Sequence, residues 1–149
     1  MLRMRRILVG LAVLAGCASS YAYRFDWTDP APNGTFADGA IEATVALGSD
    51  GAIALDLANK TDDLVQVEWN KVAIDRGDGT VTTLRPNVDA GWIAPGARVQ
   101  VQLVPFVLPH SGDAAARYEQ RKLELVVPAI VKREPRTYRF HFTAHVKEL

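Results

Sequence analysis

The sequence predicts an all-β protein, an antiparallel two-sheet sandwich of seven or eight short strands. Three observations predict it. Apolar residues recur at every second position over almost all of residues 41–149, the period of a strand with one buried face. Clusters of Gly, Pro, Asn and Asp interrupt these runs roughly every 8 to 14 residues, close to the turn spacing of sandwich domains. No helical segments alternate with the strands, as a parallel sheet would require.

The strands follow in order. Ile41, Ala43, Val45 and Leu47 alternate with Glu42, Thr44 and Ala46, and Ser49-Asp50-Gly51 is a turn. Ile53, Leu55 and Leu57 form the next strand, closed by the polar turn Asn59-Lys60-Thr61-Asp62-Asp63. Val65, Val67 and Trp69 follow. The phase slips at Asn70-Lys71 before Val72 and Ile74, which a bulge or a change of sheet explains. Arg76-Gly77-Asp78-Gly79 reads as a hairpin loop with Val81–Leu84 returning, and residues 86–92 as a loop leading to the turn Ile93-Ala94-Pro95-Gly96. Val99, Val101 and Leu103 alternate with Arg98, Gln100 and Gln102, and Pro105 and Pro109 end that strand. Residues 110–120 suit one or two helical turns capped by Ser111 or Asp113. Leu123, Leu125 and Val127 resume the alternation up to Pro128. After Pro135, Tyr138, Phe140, Phe142, Ala144 and Val146 face one way, and Arg139, His141, Thr143, His145 and Lys147 face the other.

This layout resembles an immunoglobulin-like sandwich, whose domains run to about 100 residues. The Cys…Trp…Cys core of true immunoglobulin domains is absent, since Cys17 is the one cysteine. Trp69 is a candidate core tryptophan on a middle strand. The strand ending Leu57-Ala58-Asn59-Lys60-Thr61, with Ile93-Ala94-Pro95-Gly96 later, is similar to many extracytoplasmic sandwich domains, without a motif that names a functional family.

The N-terminal stretch has a different character. Met1–Arg6 carries three arginines and no acid, and Ile7–Ala15 is a run of nine residues that are apolar save for one glycine. That is the order of a secretory signal, and the run falls short of the roughly 20 residues that cross a bilayer as a helix. Leu14-Ala15-Gly16-Cys17 then resembles the lipobox of bacterial lipoproteins. The resemblance implies a signal peptide over residues 1–16, a diacylglycerol thioether on Cys17, cleavage before it, and acylation of the new amino group. Two or more chains anchor stably where one does not, at about 0.8 kcal/mol per buried methylene. Ala18, in place of the aspartate that retains such lipoproteins in the inner membrane, implies an outer-membrane lipoprotein facing the periplasm.

Residues 17–40 read as a lipid-anchored tether ahead of the sandwich domain at 41–149. Within it Tyr21, Tyr23, Phe25 and Trp27 occupy every second position, so an extended chain aligns all four on one face. Two readings stand. The stripe is a first strand packed onto the sandwich, or it is exposed near the membrane, where Tyr and Trp suit the headgroup level or dock a protein as rigid anchors. On the second reading these four residues are the expected contacts with partner or membrane.

Charge and composition narrow the function. The chain carries 17 basic and 17 acidic residues, and removal of residues 1–16 leaves 14 against 17. A mildly acidic body has no electrostatic footprint for nucleic acid and no polybasic patch for anionic lipid. With Cys17 lipidated no thiol remains to form a disulfide or act as a nucleophile.

Other constellations read as structural. His141 and His145 on one strand lie about 13 Å apart at about 3.3 Å per residue, too far to share a zinc whose ligands sit at about 2.0–2.1 Å. His110 stands in a Pro-flanked loop without a second ligand. Asp75 and Asp78 with their glycines lack the order of a calcium loop, and Asp62-Asp63 reads as a solvated turn. Gly-x-Ser-x-Gly and phosphate-cradling loops are missing. Asp56 and Glu68 read as outward strand positions. These features give no expectation of an enzyme, a metal or a cofactor. The expected function is a non-catalytic interaction or assembly module of the bacterial cell envelope, with an envelope protein as partner. The alternative is a lipoprotein that binds a small lipid or sugar, for which the Pro-bounded segment with Phe106, His110 and Tyr118 is the candidate.

Overall fold

In the computed structural model the described residues are 19–30, 33–48 and 52–149. The signal segment, Cys17 and the turn at 49–51 lie outside them. The chain forms two antiparallel sheets facing each other. The first contains β1 (Tyr21–Asp29), β5 (Val65–Val67), β6 (Ala73–Asp75), β7 (Val81–Thr83), β10 (Lys122–Val131) and β11 (Glu134–Glu148). The second contains β2 (Thr35–Ala37), β3 (Ile41–Leu47), β4 (Ile53–Asn59), β8 (Arg85–Pro86) and β9 (Arg98–Val104). A short helix, α1 (Gly112–Ala116), follows Ser111 on the crossing from β9 to β10.

The order β3-β4-β9-β8 lies over β11-β10-β6. These correspond to strands ABED and GFC of the immunoglobulin fold. β1 is added outside β11, β7 outside β6 and β2 outside β3. The described strands therefore number eleven rather than seven or eight. The extra ones are β1, which lies in the segment expected as tether, and β2 and β8, three and two residues long and too short for a period to register in the sequence.

Alternation decides the core. Along β10, Leu123, Leu125, Val127, Ala129 and Val131 are buried, and along β11, Tyr138, Phe140, Phe142 and Ala144. Ile41, Ala43, Val45, Ile53, Leu55, Leu57, Val101 and Leu103 meet them from the second sheet. The slip at Asn70-Lys71 is a 3-10 turn, Trp69–Lys71, that breaks one strand into β5 and β6. Both halves pair with β10, β5 against Ala129–Val131 and β6 against Glu124–Val126, so the chain changes neither sheet nor partner. Trp69 opens that turn rather than lying on a strand, and packs on the core from a half-buried position.

The folded body begins at Tyr21, not at residue 41. β1 pairs with β11 from Tyr21↔Glu148 to Asp29↔His141, with an irregularity between Trp27 and Asp29. Among its described residues, the segment expected as tether is thus largely sheet, in β1 and β2.

Candidate interaction site

β1 first shows what the aromatic stripe does. Tyr23 is 4 % exposed, and Phe25 and Trp27 are partly buried against the core. Phe25 and Trp27 meet Phe142 with ring centroids 5.7 and 5.0 Å away. The Tyr23 hydroxyl donates to the Pro109 carbonyl, and burial, with Tyr118 nearby, pushes its pKa up. Tyr21 is half-buried at the strand's start. The stripe therefore faces inward, because β11 turns its own aromatic face that way and pairing in register puts the two on one side. The side chains of Tyr21, Tyr23, Phe25 and Trp27 do not form an exposed contact strip.

Among the described residues the exposed large aromatic is Trp92, 61 % exposed, with Leu64 nearby at 44 %. Their placement is built from Asn59, which is completely buried at the end of β4. Its Nδ2 donates to the carbonyls of Asp63 (2.7 Å) and Ile93 (2.9 Å). Its Oδ1 accepts from the Thr61 N–H (2.9 Å) and hydroxyl (2.7 Å). Every polar group of the amide is thereby used, and the turn at 60–63 is fixed to Ile93. Val65 and Ile93 then exchange both backbone hydrogen bonds, at 3.0 and 2.8 Å, and both side chains enter the core. In extended chain their neighbours Leu64 and Trp92 must point outward.

Leu64 and Trp92 line a surface groove of about 420 Å³ together with Asp63, Gln66, Ile130 and Arg133. Arg133 reaches it from the β10–β11 hairpin, where Val131 pairs with Glu134 across the two-residue loop Lys132-Arg133. Both loop residues have positive φ, 50° and 65°. A tight hairpin with primed turn geometry needs this, and Asn-Gly supplies it without strain. Lys and Arg do so at a cost, and such strain concentrates at functional positions. The groove lies at the end of the sandwich remote from the N-terminus. Ser20 accepts from the Leu149 N–H, while the hairpin stands at the other end of β11, about 45 Å away at about 3.3 Å per residue.

The remaining candidates separate. His141 lies between Glu124 (Nε2–Oε2 2.5 Å) and Asp29 (Nδ1–Oδ2 3.5 Å), and His145 between Asp26 (2.9 Å) and Glu119 (3.5 Å). Each imidazole has its own acids on the outer face of the first sheet. Among the described residues no three His, Cys, Asp or Glu side chains converge on a point that would hold a metal. Asp56 pairs with Arg98 and Gln100 on the second sheet, whereas Glu68 pairs with Lys71 beside the first. Asp75 accepts from the Gly77 N–H, and Asp78 from the N–H and hydroxyl of Thr80. The Thr80 bonds hold the Asp78 carboxyl below its ordinary pKa.

The segment after β9 is packed shut. Phe106 and Tyr118 are buried, the Arg76 guanidinium lies over the Phe106 ring at 5.0 Å, and it donates to the Tyr118 hydroxyl at 3.2 Å. His110 is exposed beside it.

Comparison with known proteins finds no matching family model, no matching curated protein and no matching solved structure.

Proposed function

We propose that this chain is a membrane-anchored lipoprotein, held by lipid on Cys17, that acts as a non-catalytic interaction or assembly module of the bacterial cell envelope. Its place is the outer membrane, facing the periplasm. The lipobox resemblance supports the anchor. One observation carries the interaction: Trp92 stands exposed beside Leu64 and Arg133, on a scaffold fixed by Asn59 and next to a strained basic hairpin. An exposed tryptophan in a rigid groove with an arginine beside it has the composition of a binding hot spot. The partner is an envelope protein that fills the groove with an apolar side chain and offers a carboxylate to Arg133. The anchor leaves from the opposite end and keeps the groove open.

A second reading, sugar binding, is supported by a groove of about 470 Å³ on the outer face of the second sheet. Asp56, Asn87, Gln100 and Gln102 surround its apolar floor of Ala46 and Ala54. Polar amides around an apolar patch suit a hydroxyl-rich ring.

Two experiments test the first reading. Cys17→Ser should abolish incorporation of labelled palmitate and release the chain from the membrane fraction. Retention of both would contradict the anchor. Trp92→Ala should change stability by no more than about 0.5 kcal/mol, as at other exposed sites, yet remove the envelope protein that co-isolates with the chain in mild detergent. Unchanged co-isolation would remove Trp92 from the account.

A further inference from the structure

β1 is the longest strand at a sheet edge among the described residues; the other outermost strands, β2, β5, β7 and β8, span two or three residues each. Its hydrogen-bonding phase is fixed by two bonds. The Leu149 N–H donates to the Ser20 carbonyl, and the Tyr21 N–H donates away from β11 to the His110 carbonyl. Backbone groups alternate in direction along an antiparallel strand. Ala22, Arg24 and Asp26 therefore bond to β11, and Tyr23, Phe25 and Trp27 direct their N–H and C=O groups to the open edge. No described residue pairs with those groups. An edge with open groups on three alternate residues is a template for another strand.

We propose that this edge pairs with β1 of a second copy of the chain, antiparallel and two-fold symmetric about Phe25. Charge complementarity in register supports this pairing. With Phe25 facing Phe25 of the second copy, Tyr23 faces Trp27, and each facing pair exchanges both backbone hydrogen bonds. Between them, on the solvent side, Arg24 faces Asp26 of the second copy and Asp26 faces its Arg24. Within one copy these two exposed side chains already sit 3.4 Å apart, so the sequence Arg-Phe-Asp is its own complement across a two-fold axis. Shifting the register by two residues in either direction breaks both ion pairs.

The paired stretch is bounded at both ends by the fold. His110 occupies the edge at Tyr21, and the irregularity between Trp27 and Asp29 turns the chain away. The symmetry brings these two limits opposite each other, since Tyr21 would face Asp29. Half-buried Phe25 and Trp27 gain cover. Such a surface is isologous and closes at two copies. It is distinct from the Trp92 groove, and the two readings stand or fall separately.

The test uses full-length, membrane-bound chains. Differently tagged copies with Arg24→Cys and Asp26→Cys are co-expressed. The facing pair 24/26 lies at a non-hydrogen-bonded position with Cα atoms about 4.5 Å apart, within disulfide reach. The like pairs 24/24 and 26/26 are diagonal, about 7–8 Å apart, beyond the usual reach. A mixed 24/26 disulfide several-fold more abundant than either like pair is expected. Arg24→Glu should weaken uncrosslinked association about tenfold or more, from two unfavourable facing charge pairs, and Arg24→Glu/Asp26→Arg should restore it. Protease resistance of each variant reports its folding independently. Absence of the mixed disulfide in folded chains, equal like-pair disulfides, or an adduct carrying a different protein on this edge would overturn the proposal.

Discussion

Asn59 shows how much a single polar residue holds. It stands in the sequence as the first of five polar turn residues, and nothing in that composition separates it from Lys60 or Asp62, which are solvated. Its burial follows from tertiary structure, because only the approach of Ile93 provides a second carbonyl for its amide. Asn59→Ala leaves the Thr61 N–H without its acceptor, while the Ile93 and Asp63 carbonyls each lose one of two donors and keep the Val65 N–H and the Thr61 hydroxyl. A loss of about 2–4 kcal/mol is expected in denaturant unfolding, from about 1–3 kcal/mol for the stranded buried N–H and about 0.5–1.5 kcal/mol for each further lost bond. Asp38 is a second such case. Burial alone would raise its pKa, but the N–H groups of Ile41 (2.8 Å) and Ala40 (2.9 Å), the Tyr138 hydroxyl and Arg136 outweigh it and hold the carboxyl below its ordinary value. A depressed folded-state pKa contributes stability above the unfolded-state value, and that stability is lost as pH falls through the folded-state value. Asp38→Asn should therefore flatten the acid side of the stability–pH profile without changing its slope near neutrality. An unchanged acid side would exclude Asp38 as a contributor.

At the scale of elements, β1 and the β10–β11 hairpin carry the account. The alternation of Tyr21, Tyr23, Phe25 and Trp27 was legible as a strand, and so was its common face. Which way that face turned was not, because the direction is set by register with β11, more than a hundred residues away. Trp27→Ala should cost about 2 kcal/mol, below the roughly 3–5 kcal/mol of a fully buried aromatic, and Arg24→Ala less than about 0.5 kcal/mol. Equal effects from both would contradict an inward stripe. The two strands of the hairpin were legible but its turn was not: the alternation reads as closed at Pro128 and resumed after Pro135, whereas β10 runs through Pro128 to Val131 and β11 starts at Glu134, and neither Lys132 nor Arg133 is a usual left-handed residue. Replacing the pair by Asn-Gly should raise stability by about 1 kcal/mol or more through relief of that strain and weaken partner capture at the groove. Lower stability would show the strain to be absent.

For the whole molecule, the period-two pattern and the spacing of turns contained the sandwich, since a sheet with one buried face must alternate. They did not contain the candidate interaction site. Trp92 lies in a stretch without periodicity, and its exposure follows from the inward placement of Ile93 and the bridge to Val65. The resulting body has an N-terminal end joined to the predicted anchor and a far end carrying an aromatic groove. The most direct measurement places a photo-crosslinking residue at position 92, and separately at Gln100, in the full-length chain in its own cells. The account predicts one adduct of defined mass at position 92, identified as an envelope protein, lost on Leu64→Asp and absent at Gln100. No adduct at position 92, or the same adducts at both positions, would contradict it.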